Sequence, residues 1–249
     1  MKPTLPFALV AGLMLTAPAG AFDLTAMSAD ERSAFRAEIR SYLLENPEII
    51  MEAVAVLEQR QAERQSEDDQ TLVQVNSEAL FNDPDSWVGG NPDGDVTIVE
   101  FLDYRCGYCR RAHDEVAQLL ETDGNIRMIV KEFPILGADS VISSRFAIAT
   151  LQLAGDEAYH AVSDALMKLK PSPEEAVLRR LADSFDLDAD AIFERMESDE
   201  VGRVIEANRA LAQRMSINGT PTFVVEDQML RGYVPLAGMI EIVDEVRDR

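Results

Sequence analysis

The 249-residue chain predicts an α/β fold that carries a helical block within it and a separate helical segment ahead of it. Three observations carry that prediction. Apolar runs at Val96–Leu102 and Ile126–Phe133 flank an amphipathic stretch, the strand–helix–strand pattern of a parallel pair with a right-handed crossover. From Asp139 to Met215 the apolar spacing is helical, with short breaks at Gly155 and at Pro171-Ser172-Pro173. Ahead of Leu72, apolar residues recur at helical spacing as far as Leu57 and then nearly vanish from Glu58 to Gln70.

Met1 to Ala21 has the layout of a secretory signal: one early charge at Lys2, an apolar stretch from Phe7 to Leu15, and Ala19-Gly20-Ala21 as a small-x-small cleavage site. The apolar stretch is shorter than the ~18 residues a membrane span needs. The expected protein is therefore soluble, exported and cleaved after Ala21. A helical stalk and polar linker are expected over residues 22–71. Ser28-Ala29-Asp30-Glu31 fits a capping box, and Phe35, Ile39, Tyr42 and Leu43 follow at helical spacing. Asn46-Pro47-Glu48 reads as a break and a fresh start. The second helix carries Ile49, Ile50, Ala53, Val54, Val56 and Leu57 as a wide apolar face. Such a face ahead of a polar linker has no evident partner within the chain and predicts a homo-oligomer.

The domain over residues 72–249 is expected to hold the chemistry. Cys109 to Leu120 reads as an amphipathic helix, Thr222–Val225 and Met229–Arg231 as a hairpin around Asp227-Gln228, and Leu236–Val246 as a closing helix. With 47% apolar residues the chain can build a core of ordinary size. A net charge of −22 argues against nucleic acid or an anionic membrane as partner.

The only two cysteines form Cys106-Gly107-Tyr108-Cys109, where the first strand gives way to its helix. A disulfide across so short a loop adds little stability. The pair is better suited to switching between dithiol and disulfide. Zinc needs four ligands, and only His113 and His160 are left to add, so no metal and no cofactor are expected. Cys106, at a helix N-terminus, is expected to be the thiolate and nucleophile, and Cys109, one turn in, the resolving thiol. Glu100 is costly to bury inside the strand and can accept the Cys109 proton; alternatively it lies on a solvated face or pairs with Lys131 on the neighbouring strand. Thr220-Pro221-Thr222 places a proline at the start of a strand, where a cis bond or an ordinary turn would serve.

Phe101-Leu102-Asp103-Tyr104-Arg105-Cys106-Gly107-Tyr108-Cys109, Lys131-Glu132-Phe133-Pro134-Ile135-Leu136-Gly137 and Gly219-Thr220-Pro221-Thr222-Phe223 together resemble the DsbA-like branch of the thioredoxin superfamily. The resemblance covers about Asn76 to the C-terminus. It implies a thioredoxin-like core with an inserted helical domain at about 139–215, preceded by an N-terminal helical oligomerisation stalk. It implies Cys106 as nucleophile, Cys109 as its partner, a cis-proline loop at Thr220-Pro221, and the family's buried strand acid at Glu100. The N-terminal helices look like the stalk of suppressor-of-copper-sensitivity C proteins, and the Gly-Tyr dipeptide and the threonine before proline look like those of disulfide isomerases. The implied function is a periplasmic thiol–disulfide oxidoreductase acting on exported cysteine-containing clients, isomerase or reductase favoured, with a membrane redox partner. The alternatives are a dithiol oxidase donating disulfides, and a Cu(I)-binding protein of copper tolerance using the same two thiolates.

Overall fold

The computed structural model describes residues Thr25 to Arg249, so the secretory signal read over residues 1–21 lies outside the described residues. The described residues divide into two compact units, one ending at Gln59 and the other spanning Arg60–Arg249. The boundary falls inside the polar stretch Glu58–Gln70.

In the first unit, helix α1 (Ala29–Glu45) starts at a complete capping box. The Ser28 side chain accepts from the Glu31 N–H, and the Glu31 carboxylate accepts from the Ser28 N–H at 2.9 Å. The Asn46 side chain closes the helix by donating to the Tyr42 carbonyl at 2.9 Å. Helix α2 (Glu48–Val75) then begins directly after Pro47. No residue of α1 is buried, and Phe35, Ile39, Tyr42, Ile50, Met51, Val54, Val56 and Leu57 are all exposed. The polar stretch Glu58–Gln70 is helical throughout.

The second unit is a five-stranded sheet in the order β1 (Trp87–Gly90), β3 (Ile126–Glu132), β2 (Val96–Leu102), β4 (Thr222–Val225), β5 (Gln228–Arg231). Strands β2 and β3 are parallel, joined by α4 (Gly107–Asp123), and the other pairings are antiparallel. Gly124 ends α4 at φ +72°, a left-handed conformation glycine adopts without penalty. Alternation along the strands sends side chains to two cores. Ile98, Leu102, Met128, Val130 and Phe223 face α4, the helical insertion and α9 (Leu236–Arg247). Val99, Phe101, Ile129, Phe133 and Val224 face Val73, Leu80, Leu211 and Met215. Phe101 is wholly buried and meets Phe133 edge-to-face at 5.9 Å, so Phe101→Ala should cost about 3–5 kcal/mol.

The insertion comprises α5 (Ala138–Lys168), α6 (Glu175–Ser184), α7 (Ala189–Met196) and α8 (Asp199–Arg214). Gly155 interrupts α5 at φ +81°, where the sequence placed a break. Two elements were not anticipated. Helix α3 (Ser77–Phe81) is short, and β1 has only four residues, two of them glycine, so neither develops a periodic signal. Both are tied in by distant groups. The Trp87 indole N–H donates to the Asp156 carbonyl at 3.1 Å, and Lys131 donates to the Ala79 carbonyl at 2.8 Å.

Candidate active site

The chain leaves β2 at Leu102 and turns at Asp103, a fully buried residue whose carboxylate organises the loop. One oxygen accepts from the Arg105 N–H at 2.8 Å; the other accepts from the Ile135 and Leu136 N–H groups at 2.8 and 3.0 Å. The Asp103 carbonyl accepts from the Cys106 N–H at 3.0 Å. This turn delivers Cys106 as the N-cap of α4, its sulfur 3.5 Å from the Cys109 N–H. Arg105 and Arg110 donate to the Leu169 carbonyl at 3.3 and 2.8 Å, fastening the loop to the end of α5.

The two thiols are held in opposite states. A hydrogen bond from the Cys109 thiol lowers Cys106 to about 5, helped by the Thr220 hydroxyl and by the backbone N–H groups of Cys109 and Tyr108, against the cost of burial. Cys109 is driven far upward by that same bond, by burial and by the charge of Glu100. Cys109 is completely buried and Cys106 nearly so. The Thr220–Pro221 bond is cis, and the Thr220 carbonyl lies 3.1 Å from the Cys106 sulfur. The Gly232 N–H donates to the Pro221 carbonyl at 2.9 Å, holding the loop from its other side. Cys106, Cys109, Thr220 and Pro221, read separately from the sequence, are thus brought to one place.

Glu100 lies beneath them, buried, with Oε1 lacking a hydrogen-bond partner among the described residues. Burial, then the charges of Cys106 and Glu132, push its carboxyl up to about 8. The pairing with Lys131 is not formed. Lys131 stands opposite Phe101 in the parallel register, so its side chain leaves the other face of the sheet and binds Asp83 at 2.6 Å.

On the Glu100 face stands Glu132, which sequence reasoning quoted only as part of a motif. Its carboxylate accepts from the hydroxyls of Tyr104 at 2.7 Å, Tyr159 at 2.6 Å and Ser144 at 2.7 Å. The Tyr104 oxygen in turn accepts from the Ser163 hydroxyl at 3.1 Å. Burial pushes Glu132 up to about 7 in spite of its three donors. The signal that singled out Glu100, an acid inside an apolar strand, is present at Glu132 too. Its partners Tyr159 and Ser144 come from the insertion and carry no local signature. His113, the remaining polar candidate of α4, is partly buried and lies 3.1 Å from Asp164 of α5.

The thioredoxin family model matches residues 82–245, and the model of the copper resistance protein ScsC N-terminal domain matches residues 31–64. A thioredoxin-like oxidoreductase from Silicibacter pomeroyi is 43% identical, covers 69% of this chain and 98% of its own, and superposes with a TM-score of 0.64. A linker-deletion mutant of Proteus mirabilis ScsC is 25% identical, covers 90% of this chain and 98% of its own, with a TM-score of 0.65. The Na(+)/H(+) antiporter NhaA 1 of Salinispora arenicola is 33% identical over 153 residues, which are 60% of this chain but 23% of the antiporter. The chain thus spans about a quarter of that relative. With the thioredoxin model matching residues 82–245 and the ScsC N-terminal model matching residues 31–64, the chain belongs to the DsbA-like branch of the thioredoxin superfamily, with an ScsC-like N-terminus.

Proposed function

We propose that the protein is a thiol–disulfide oxidoreductase acting on exported cysteine-containing proteins in the periplasm, and that isomerisation or reduction of client disulfides is its favoured direction. The observation that carries this reading is the opposite bias of the two thiols, Cys106 lowered to about 5 and Cys109 driven up. A Cys106 thiolate attacks a client disulfide; a new S–S bond forms and one client sulfur leaves as thiolate. If the client then rearranges, a client thiolate displaces Cys106 and the enzyme is unchanged. If it does not, Cys109 gives its proton to the Glu100 carboxylate and attacks the Cys106 sulfur. The second client thiolate leaves, and the Cys106–Cys109 disulfide remains for a membrane redox partner to reduce. In the mixed disulfide the Cys106 charge is gone, which removes one cause of the raised Glu100 carboxyl and frees it to act as base.

The preference for isomerisation rests on the first unit. Its exposed apolar residues suit a homo-oligomer, and oligomerisation holds catalytic sites around a client and shields reduced thiols. The second reading is a dithiol oxidase, favoured by the depressed Cys106, since stabilising the thiolate stabilises the reduced enzyme and makes its disulfide oxidising. Refolding of a scrambled multi-disulfide substrate, run beside oxidation of a reduced one with solution mass recorded, tests both. Faster rescue of the scrambled substrate by an oligomer supports isomerase; oxidation alone by a monomer replaces it with oxidase. Failure of Cys106 to form a mixed disulfide with either substrate overturns both.

A further inference from the structure

Two buried carboxylates, Glu100 and Glu132, share one face of adjacent parallel strands. The register pairs Glu100 with Val130 and Leu102 with Glu132, so the two acids are diagonal neighbours on the side facing α4 and α5. Their surroundings are opposite. Glu132 accepts three hydroxyl hydrogen bonds, from Tyr104, Tyr159 and Ser144, and has no oxygen left bare. Glu100 has an oxygen with no partner at all among the described residues. The antiparallel neighbour of Glu100 is Phe223, which offers nothing ionisable. The titratable groups acting on the pair are Cys106 and Cys109 of the α4 turn, Asp103 and Tyr104 of the loop before it, and Tyr159 of α5. None of these is a cation, and Lys131 is spent on Asp83 across the sheet.

Resting on the proposed disulfide exchange, we infer that Glu132 is a positioning residue for it: the two acids act as a coupled pair in which Glu132 takes the negative charge first and thereby keeps the proton on Glu100.

The chemistry is that of two carboxylates in one low-dielectric site, where ionising one makes ionising the other costly. The acid with more donors to its anion ionises first. Glu132 has those donors, whereas Glu100 keeps an oxygen without one, and burial pushes both carboxyls up. The consequence falls on the resolving step. While Cys106 is a thiolate, a neutral Glu100 avoids a second charge beside it. Once Cys106 is in a mixed disulfide, Glu100 can ionise, take the Cys109 proton and let the Cys109 sulfur displace the client thiolate. Tyr104 lies two residues before Cys106, so the network also couples the catalytic loop to the insertion.

Infrared difference titration of the reduced full-length protein reads the carboxylic-acid band directly, without reference to turnover. The wild type should lose its two buried acid signals in two steps. Glu132→Gln should abolish the earlier step and move the remaining one down by about one pH unit; Glu100→Gln should abolish the later one. Tyr159→Phe keeps both acids but removes one donor, and it should raise the earlier step while leaving the later one in place. Loss of the later step in Glu132→Gln would overturn the order, and an unmoved Glu100 step would overturn the coupling. If Glu132→Gln fails to fold, Tyr159→Phe decides alone: an unmoved earlier step overturns the inference. Exchange of Cys106 with a small disulfide, followed in the same samples, separates this outcome from failure of the oxidoreductase reading, which would abolish exchange in the wild type.

Discussion

The Cys106 sulfur lies 3.1 Å from the Thr220 carbonyl oxygen, across 114 residues of chain. The thiol can donate to that carbonyl, and the Thr220 hydroxyl is among the groups that hold the thiolate down. One residue of the loop thus contacts both protonation states of the nucleophile.

Alkylation of the reduced protein should therefore be half-maximal near pH 5 at Cys106 and undetectable at Cys109 through neutrality. Rapid-quench labelling with peptide mapping measures both sites in one sample. Equal labelling of the two cysteines would remove the assignment of nucleophile and resolver.

Thr220→Val retains the carbonyl and removes the hydroxyl. The Cys106 midpoint should rise by about one pH unit, equivalent to about 1.4 kcal/mol. The reduction potential should become more negative by about 30 mV, because the dithiol form loses that stabilisation. An unchanged midpoint together with an unchanged potential would show that the hydroxyl has no part in holding the thiolate.

The stability of the two redox forms should diverge with pH. A Cys106 folded at about 5, against an ordinary value of 9, contributes stability that is fully present above 9 and is lost as pH falls through 5. The disulfide form has no such thiolate, so the melting temperature of the reduced protein should gain on that of the oxidised one between pH 5 and pH 9. Glu100 works the other way. Its carboxyl is raised from 4.5 to about 8, so its contribution is fully present below 4.5 and is lost as pH rises through 8. Glu100→Gln should therefore recover stability on the alkaline side. Parallel unfolding curves of the two redox forms across this range would contradict the thiolate account.

Much of the site was legible because its signals are local. Cys106 and Cys109 are adjacent turns of one motif, and strand, helix cap and amphipathic helix surround them in sequence. The ends of β2 and the start of α2 follow directly from apolar runs and from Pro47. What the sequence hid is the direction in which side chains leave a strand relative to a neighbour. Glu100 and Lys131 both lie within apolar strands, yet the register puts them on opposite faces. The partners of Glu132 come from residues 104, 144 and 159, a set that no short window contains. Asp69 is similar: it reads as one more acid of a polar stretch, but it is buried against Arg231 of the edge strand.

That ion pair makes a further prediction. Arg231 donates to both Asp69 oxygens, fixing the end of α2 to β5. Arg231→Ala leaves the buried Asp69 carboxylate with the Gln65 amide but no cation, and should destabilise the unit by on the order of 3 kcal/mol. Asp69→Asn with Arg231→Met should recover part of this loss, since no buried charge remains. Denaturant unfolding of the single and double variants measures the difference. A loss of a few tenths of a kcal/mol for Arg231→Ala would mean that water solvates Asp69 in the folded protein.

The last prediction concerns the first unit. Phe35, Ile39, Tyr42, Ile50, Val54 and Leu57 are exposed on helices whose own length supplies no core to cover them. A second copy of the same segment can cover them at little entropic cost, because the helices are already formed. Deleting residues 25–59 removes these side chains and keeps Asp69, Val73 and the whole sheet, so the remainder should fold and still exchange disulfides at Cys106. It should be monomeric by light scattering where the full chain is not. Rescue of a scrambled substrate should fall while exchange with a small disulfide is retained, and the shortened protein should be oxidised more readily, since neighbouring copies no longer screen its thiols. A full-length chain that stays monomeric at micromolar concentration would remove the oligomer and the preference for isomerisation with it, leaving the oxidase reading supported by the low-lying Cys106 thiolate.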